Sequence, residues 1–117
     1  MTAREAGALT RRDELYAQLE HARSAEAEAN REVAALRGRI HAAESEWRAA
    51  EVGTLRGEYK GTPIEELRVQ IQADRDALPE AEHRIDVANR AIRELERVIR
   101  AHYQEHAEAF VDEAEEA

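Results

Sequence analysis

The chain has no cysteine. That excludes disulfide frameworks and thiol chemistry and leaves the compartment open, with a reducing cytoplasm as the fitting expectation. Aromatics make up 4% of the 117 residues, with one Trp, one Phe and three Tyr. So few large side chains cannot fill a thick globular core. No apolar run approaches the roughly 20 residues that span a bilayer, so a membrane is not an expected partner. The stretch from Met1 to Leu15 lacks the apolar centre of a cleaved signal peptide. Proline occurs twice and glycine five times, and lysine once, at Lys60.

Ala, Glu, Arg and Leu fill the space these absences leave. Charged residues reach 37%, the profile of long helices and coiled coils. The net charge is −9, and six of those nine charges come from Glu105, Glu108, Asp112, Glu113, Glu115 and Glu116. Elsewhere acids and bases interleave. Neither the continuous negative surface of a nucleic-acid mimic nor the basic stripe of a nucleic-acid binder results, so nucleic acid is an unlikely partner.

Two heptad arms flank a short glycine-rich island. In the first, Leu15, Ala22, Ala29, Leu36, Ala43 and Ala50 fall at d, and Leu19, Glu26, Val33, Ile40 and Trp47 at a. In the second, Ile64, Ile71, Leu78, Ile85, Ile92 and Ile99 fall at a, and Leu67, Asp74, Ala81, Ala88, Leu95 and His102 at d. Sustained 3-4 spacing of this length predicts a coiled coil. The island, Gly53 to Pro63, carries the signals between the arms. Gly57 or Gly61 can take the left-handed conformation that ends a helix. Thr62, Pro63 and Glu65 read as N-cap, first helical residue and capping box. A connection this short favours antiparallel neighbours.

The expected fold class is therefore all-α: an antiparallel two-helix coiled-coil hairpin that assembles into a helical bundle. Its parts are an N-terminal segment at 1–9, a first long helix at 10–56, a turn at 57–62, a second long helix at 63–111 kinked near Pro79, and an acidic tail at 112–117. A split second arm, with Asp76 capping a fresh helix, is the alternative to the kink.

Flanking charges choose the register. One register brings together Glu51–Arg68, Glu44–Arg75, Arg37–Glu82 and Arg23–Glu96, along with Asn30–Asn89, Tyr16–Tyr103 and Leu9–Phe110. Its core layers pair Ala50 with Ile71, Ala43 with Leu78, Ile40 with Ala81, Val33 with Ala88, Ala29 with Ile92 and Ala22 with Ile99. The rival register, one heptad away, improves some g–g′ pairs but sets Arg37 against Arg75. The first is the expected one.

Candidate sites follow from what the seam leaves out. Leu9, Tyr16, Tyr103 and Phe110 sit at e, beside the seam, with Val98 and Val111 nearby. Half-exposed apolar groups of this kind mark an interface; the plain alternative is that the chain ends fold over them. Glu26 and Asp74 are charges at core positions, which either fix register or snorkel out of a narrow seam. Arg56, Tyr59 and Lys60 stand at the hairpin tip with Leu55, onto which Tyr59 is expected to fold. His102 and His106 form an H-x-x-E-H pattern with Glu105. Packing, or hydrogen bonds to Asp13 or Glu14, is the expectation for this pair, with metal binding a weak candidate and catalysis none. Arg90, Arg93, Arg97 and Arg100 line the back of the second arm beside Asp86, Glu94 and Glu96, and read as a solvated, self-paired face. No cofactor is expected.

In size, and in having a Trp and a Gly near the turn (Trp47 and Gly53), the chain is similar to the small secreted helical hairpins named for their Trp-x-Gly turn. It departs from them in reading Trp47-Arg48-Ala49, and its Tyr16-x-x-x-Glu20 lies in the first helix. The resemblance implies a secreted hairpin without a cleaved signal. The arms are also similar to those of prefoldin-like chaperones, but the island is too short for that family's β-hairpins. The leading expectation is a non-enzymatic structural or adaptor protein, cytoplasmic or virion-associated, such as a phage assembly factor. It would act through a homo-oligomer, with a dimer favoured, or through a protein partner. A small helical inhibitor or regulator is the alternative.

Overall fold

The structure, a computed structural model, describes residues 1–110. It is all-α: helix α1 spans Ala3–Leu55 and helix α2 spans Ile64–Glu105. The two long helices pack against each other as a hairpin. The chain divides into two compact units, one built from Met1–Glu26 and the stretch from Asp86 onward, the other from Ala27–Ile85.

The element bounds differ from the expected ones at three places. Residues 3–9, expected as a separate segment before a helix at 10–56, already belong to α1. The reason is an N-cap at Thr2, whose Oγ1 accepts from Glu5 N–H at 3.1 Å. The connection runs over residues 56–63 rather than 57–62. At the far end α2 stops at Glu105, His106 forms a turn and residues 107–110 are helical again; the expected second helix at 63–111 is thus interrupted. Val111 and the acidic tail at 112–117 lie outside the described residues. α2 continues unbroken through Pro79, so Asp76 opens no new helix. It accepts instead from Gln72 Nε2 at 2.8 Å, one turn back.

The heptad seam is as expected. Every named a and d position from Leu15 to Ala50 and from Ile64 to His102 is buried or half-buried. The register is not the expected one. In the Ala27–Ile85 unit, Val33 and Leu36 cluster with Ala81, and Leu78 and Ile85 pack against them. Ala43, Ala50, Leu67 and Ile71 form a second cluster with Trp47, Tyr59 and Ile64 against it. Arg39 grips Asp74 through two bonds of 3.3 Å. In the unit that carries the termini, Ile99 clusters with Leu15 and Leu19 instead of Ala22. His102 Nε2 lies 2.8 Å from Ala8 O; in the expected register those residues would be about 16 Å apart along the axis. Each unit therefore adopts the register one heptad away.

Apolar burial explains the choice. The expected register would face Trp47 with Asp74, and leave Leu67 and Ile64 opposite Thr54 and Gly57. The observed one gathers Leu67, Ile64 and Trp47 into one cluster. Burying such a side chain is worth about 1.5–3 kcal/mol, whereas an exposed ion pair contributes about 0–1 kcal/mol. Two of the expected pairs form all the same, because arginine is long enough to reach across the offset. Arg75 meets Glu44, and Arg37 lies 4.0 Å from Glu82. Arg84 adds a g–g′ pair with Glu32.

The connection is built around Tyr59. α1 ends in a Schellman motif: Glu58 N–H donates to Gly53 O at 2.9 Å, and Gly57 N–H to Thr54 O at 3.0 Å. Gly57 supplies the required left-handed residue, with φ 71°. Tyr59 then folds back between the other two glycines. A Cβ on Gly53 would sit 2.9 Å from Tyr59 Cβ, and one on Gly61 2.8 Å from its hydroxyl. The hydroxyl donates to Thr62 O and lies 3.2 Å from Glu46 Oε1, which also accepts from Thr62 N–H at 3.2 Å. With the Thr62 carbonyl taken, the first helical bond of α2 runs from Leu67 N–H to Pro63 O. The expected Thr62 cap is displaced by one residue.

Candidate functional site

The terminal unit holds most of the residues singled out by the heptad pattern. Leu15, Leu19 and Ile99 form its apolar cluster, with Ile92, Leu95, Val98 and Tyr103 packed on it. Along the e edge Leu9 and Tyr103 are half-buried, as is Val98 at g. Tyr16 is 46% exposed, whereas Phe110 is buried at 7%. The five expected interface residues thus fall into one exposed ring, three half-covered groups and one covered ring.

Phe110 is covered from two sides. Its ring centroid lies 4.4 Å from that of Tyr103 and 5.8 Å, edge on, from that of His102. From α1, the Arg12 guanidinium carbon lies 5.7 Å from the same centroid, a cation–π distance. Arg12 also pairs with Asp13 at 3.0 Å. Arg12 was missed in the sequence, although it sits at a, one heptad before Leu19, where a charge must snorkel.

His102 and His106 stack with centroids 4.7 Å apart, as their i, i+4 spacing demands. The expected hydrogen bonds to Asp13 or Glu14 are replaced by the Ala8 carbonyl, 2.8 Å from His102 Nε2. A carbonyl only accepts, so Nε2 is the donor in this bond. His106 Nε2 lies 3.9 Å from Glu105, whose side chain is 72% exposed. Among the described residues no group of three metal-ligating side chains assembles.

At the tip Tyr59 folds back as expected, but onto Gly53 and Glu46. Leu55 remains 92% exposed. Arg56 and Lys60 are exposed, and Arg56 pairs with Glu58 at 3.4 Å. The Tyr59 phenol is pushed above its ordinary range, first by partial burial, then by the Glu46 charge and the bond to it. Glu46 was not legible as its partner, lying 13 residues away. Asp74 reaches Arg39 at the seam's rim, and Glu26 is half-buried. On the back of α2, Arg97 pairs with Glu94 at 4.0 Å, and Arg90, Arg93 and Arg100 are exposed.

No helix among the described residues is long and apolar enough to cross a membrane. Comparison with known proteins gives no match to a family model, to a curated protein or to a solved structure.

Proposed function

We propose that the chain is a non-enzymatic structural or adaptor protein that works by pairing helix faces. A second copy of itself is the favoured partner and a dimer the favoured assembly. The observation that carries this reading is Tyr16, a large aromatic 46% exposed on the same edge as half-buried Leu9 and Tyr103. An apolar edge beside a complete seam gains by being covered, and a second copy offers the same edge about a two-fold axis. Burying the rest of each phenol ring adds about 1 kcal/mol per side, a useful share of a micromolar affinity. A cytoplasmic or virion-associated setting suits such a role.

Sedimentation equilibrium of the wild type and Tyr16→Arg tests the reading. The expected result is a dimeric wild type and a monomeric variant of unchanged helicity. A wild type monomeric at every concentration would sink self-association. It would favour a foreign helix docking on the same edge, as an inhibitor or regulator would.

A further inference from the structure

The back of helix α2 carries a stripe of one charge. Arg90 and Arg97 stand at f, and Arg93 and Arg100 at b, on the face opposite the a/d seam. Their 3-4-3 spacing lines them up over about 15 Å. All four are exposed. Arg97 pairs with Glu94 at 4.0 Å, and both side chains are mostly open to water. Arg90, Arg93 and Arg100 meet no carboxylate among the described residues. The self-pairing expected of this face is thus confined to one contact.

The stripe is narrow. Glu94 at c and Glu96 at e edge it on both sides, and Asp86 stands at its foot. A broad anionic surface, such as a nucleic-acid duplex or a lipid bilayer, would press against those carboxylates as well as the arginines. A single acidic segment lying along the stripe meets mainly guanidinium groups, each of which offers a carboxylate two parallel donors.

The chain itself contains such a segment. Val111 to Ala117 follow Phe110 in the sequence and carry Asp112, Glu113, Glu115 and Glu116 with no base. Four carboxylates thus stand against four guanidinium groups. Their reach follows from the seat of Phe110, whose ring centroid lies 4.4 Å from that of Tyr103. Tyr103 at e and Arg100 at b are i, i+3 neighbours on one helix, so the segment starts about one helical turn from the head of the stripe. Seven residues extend to about 23 Å, longer than the stripe.

We propose that the b/f stripe of α2 is a receptor for an acidic peptide segment, and that residues 112–116 of the same chain are its occupant. A single exposed ion pair is worth little. The tether makes each contact intramolecular, so several weak pairs act at a high effective concentration. Salt weakens the docking, because every arginine involved lies at the surface. A foreign acidic segment reaches the stripe only by displacing the tethered one.

The chain lacks cysteine, so Ala117→Cys gives the full-length protein a single attachment point for a nitroxide. Amide signals of the isotope-labelled protein are compared with the nitroxide oxidised and reduced. The expected result is a loss of intensity at the amides of residues 90–100 at low ionic strength. That loss disappears at high salt, in Arg93→Gln/Arg97→Gln/Arg100→Gln, and in Glu113→Gln/Glu115→Gln/Glu116→Gln. The two triple variants act from opposite sides of the contact, so one stands in if circular dichroism shows that the other has lost helicity. Loss that fades along the helix from Arg100 and ignores salt and both variants reports the tether alone, and overturns the proposal. Loss centred on Arg12 and its neighbours in α1, with residues 90–100 untouched, overturns it as well. A mixture of unlabelled nitroxide-bearing chains and isotope-labelled chains without nitroxide separates docking within a chain from exchange between copies. Equal loss in the mixture would overturn the same-chain assignment.

Discussion

Tyr59 shows how three glycines spaced four apart can serve one side chain. Gly57 takes the left-handed angle that turns the chain, and Gly53 and Gly61 leave the space in which the ring lies. Gly57→Ala should cost about 1–2 kcal/mol in urea unfolding, from the angle alone. Gly38 is the internal control. A Cβ there meets nothing within 4 Å, so Gly38→Ala should raise stability by about 0.5–1 kcal/mol. The phenol has its own signature. Its raised pKa means that the folded state favours the protonated ring. The contribution is fully present below the ordinary value of about 10 and is lost as pH rises through the raised one. Wild type should therefore lose stability on the alkaline side of pH 10 more steeply than Tyr59→Phe, as followed by denaturant midpoints. Parallel alkaline limbs would show that the fold does not raise the phenol at all.

At the scale of the helices, the seam is lopsided. α1 contributes mostly alanine, with Ala50 fully buried, and α2 contributes isoleucine and leucine, with Ala81 the fully buried exception. Ala50→Leu should overpack the cluster of Ala43, Leu67 and Ile71 and cost about 1–3 kcal/mol, measurable as a drop in midpoint at constant m-value. This a/d pattern was legible because the 3-4 spacing of Leu15 to Ala50 and of Ile64 to His102 is unbroken. The register was not. It turned on weighing visible charges such as Arg23 and Glu96 against the fate of Trp47, Leu67 and Ile64, and the apolar groups won. The start of α1 was written in Thr2 and Glu5, yet the heptad pattern, first clear at Leu15, drew attention away from it. The return of Phe110 onto Tyr103 follows the alternative reading of the patch, a chain end folded over it; the heptad position of Phe110, that of a helix that simply continues, pointed the other way.

At the scale of the molecule, Tyr16 stays exposed on the edge where Phe110 packs on Tyr103. If docking is apolar, dimerisation should be nearly insensitive to salt, since screening weakens only charge pairs. Sedimentation at low and high ionic strength should then give one association constant, and a steep fall with salt would point to the exposed arginines of α2 instead.

Trp47 has a consequence of a different kind. It is the only tryptophan in the chain, and it lies in the Ala27–Ile85 unit, packed against the Leu67 cluster with the Arg68 guanidinium 5.4 Å from its ring. Tyr16, Tyr103 and Phe110 all belong to the other unit. The molecule is thus labelled at one address only. Indole emission reports on the half that holds the turn, so an event that moves that light has changed the surroundings of the Leu67 cluster.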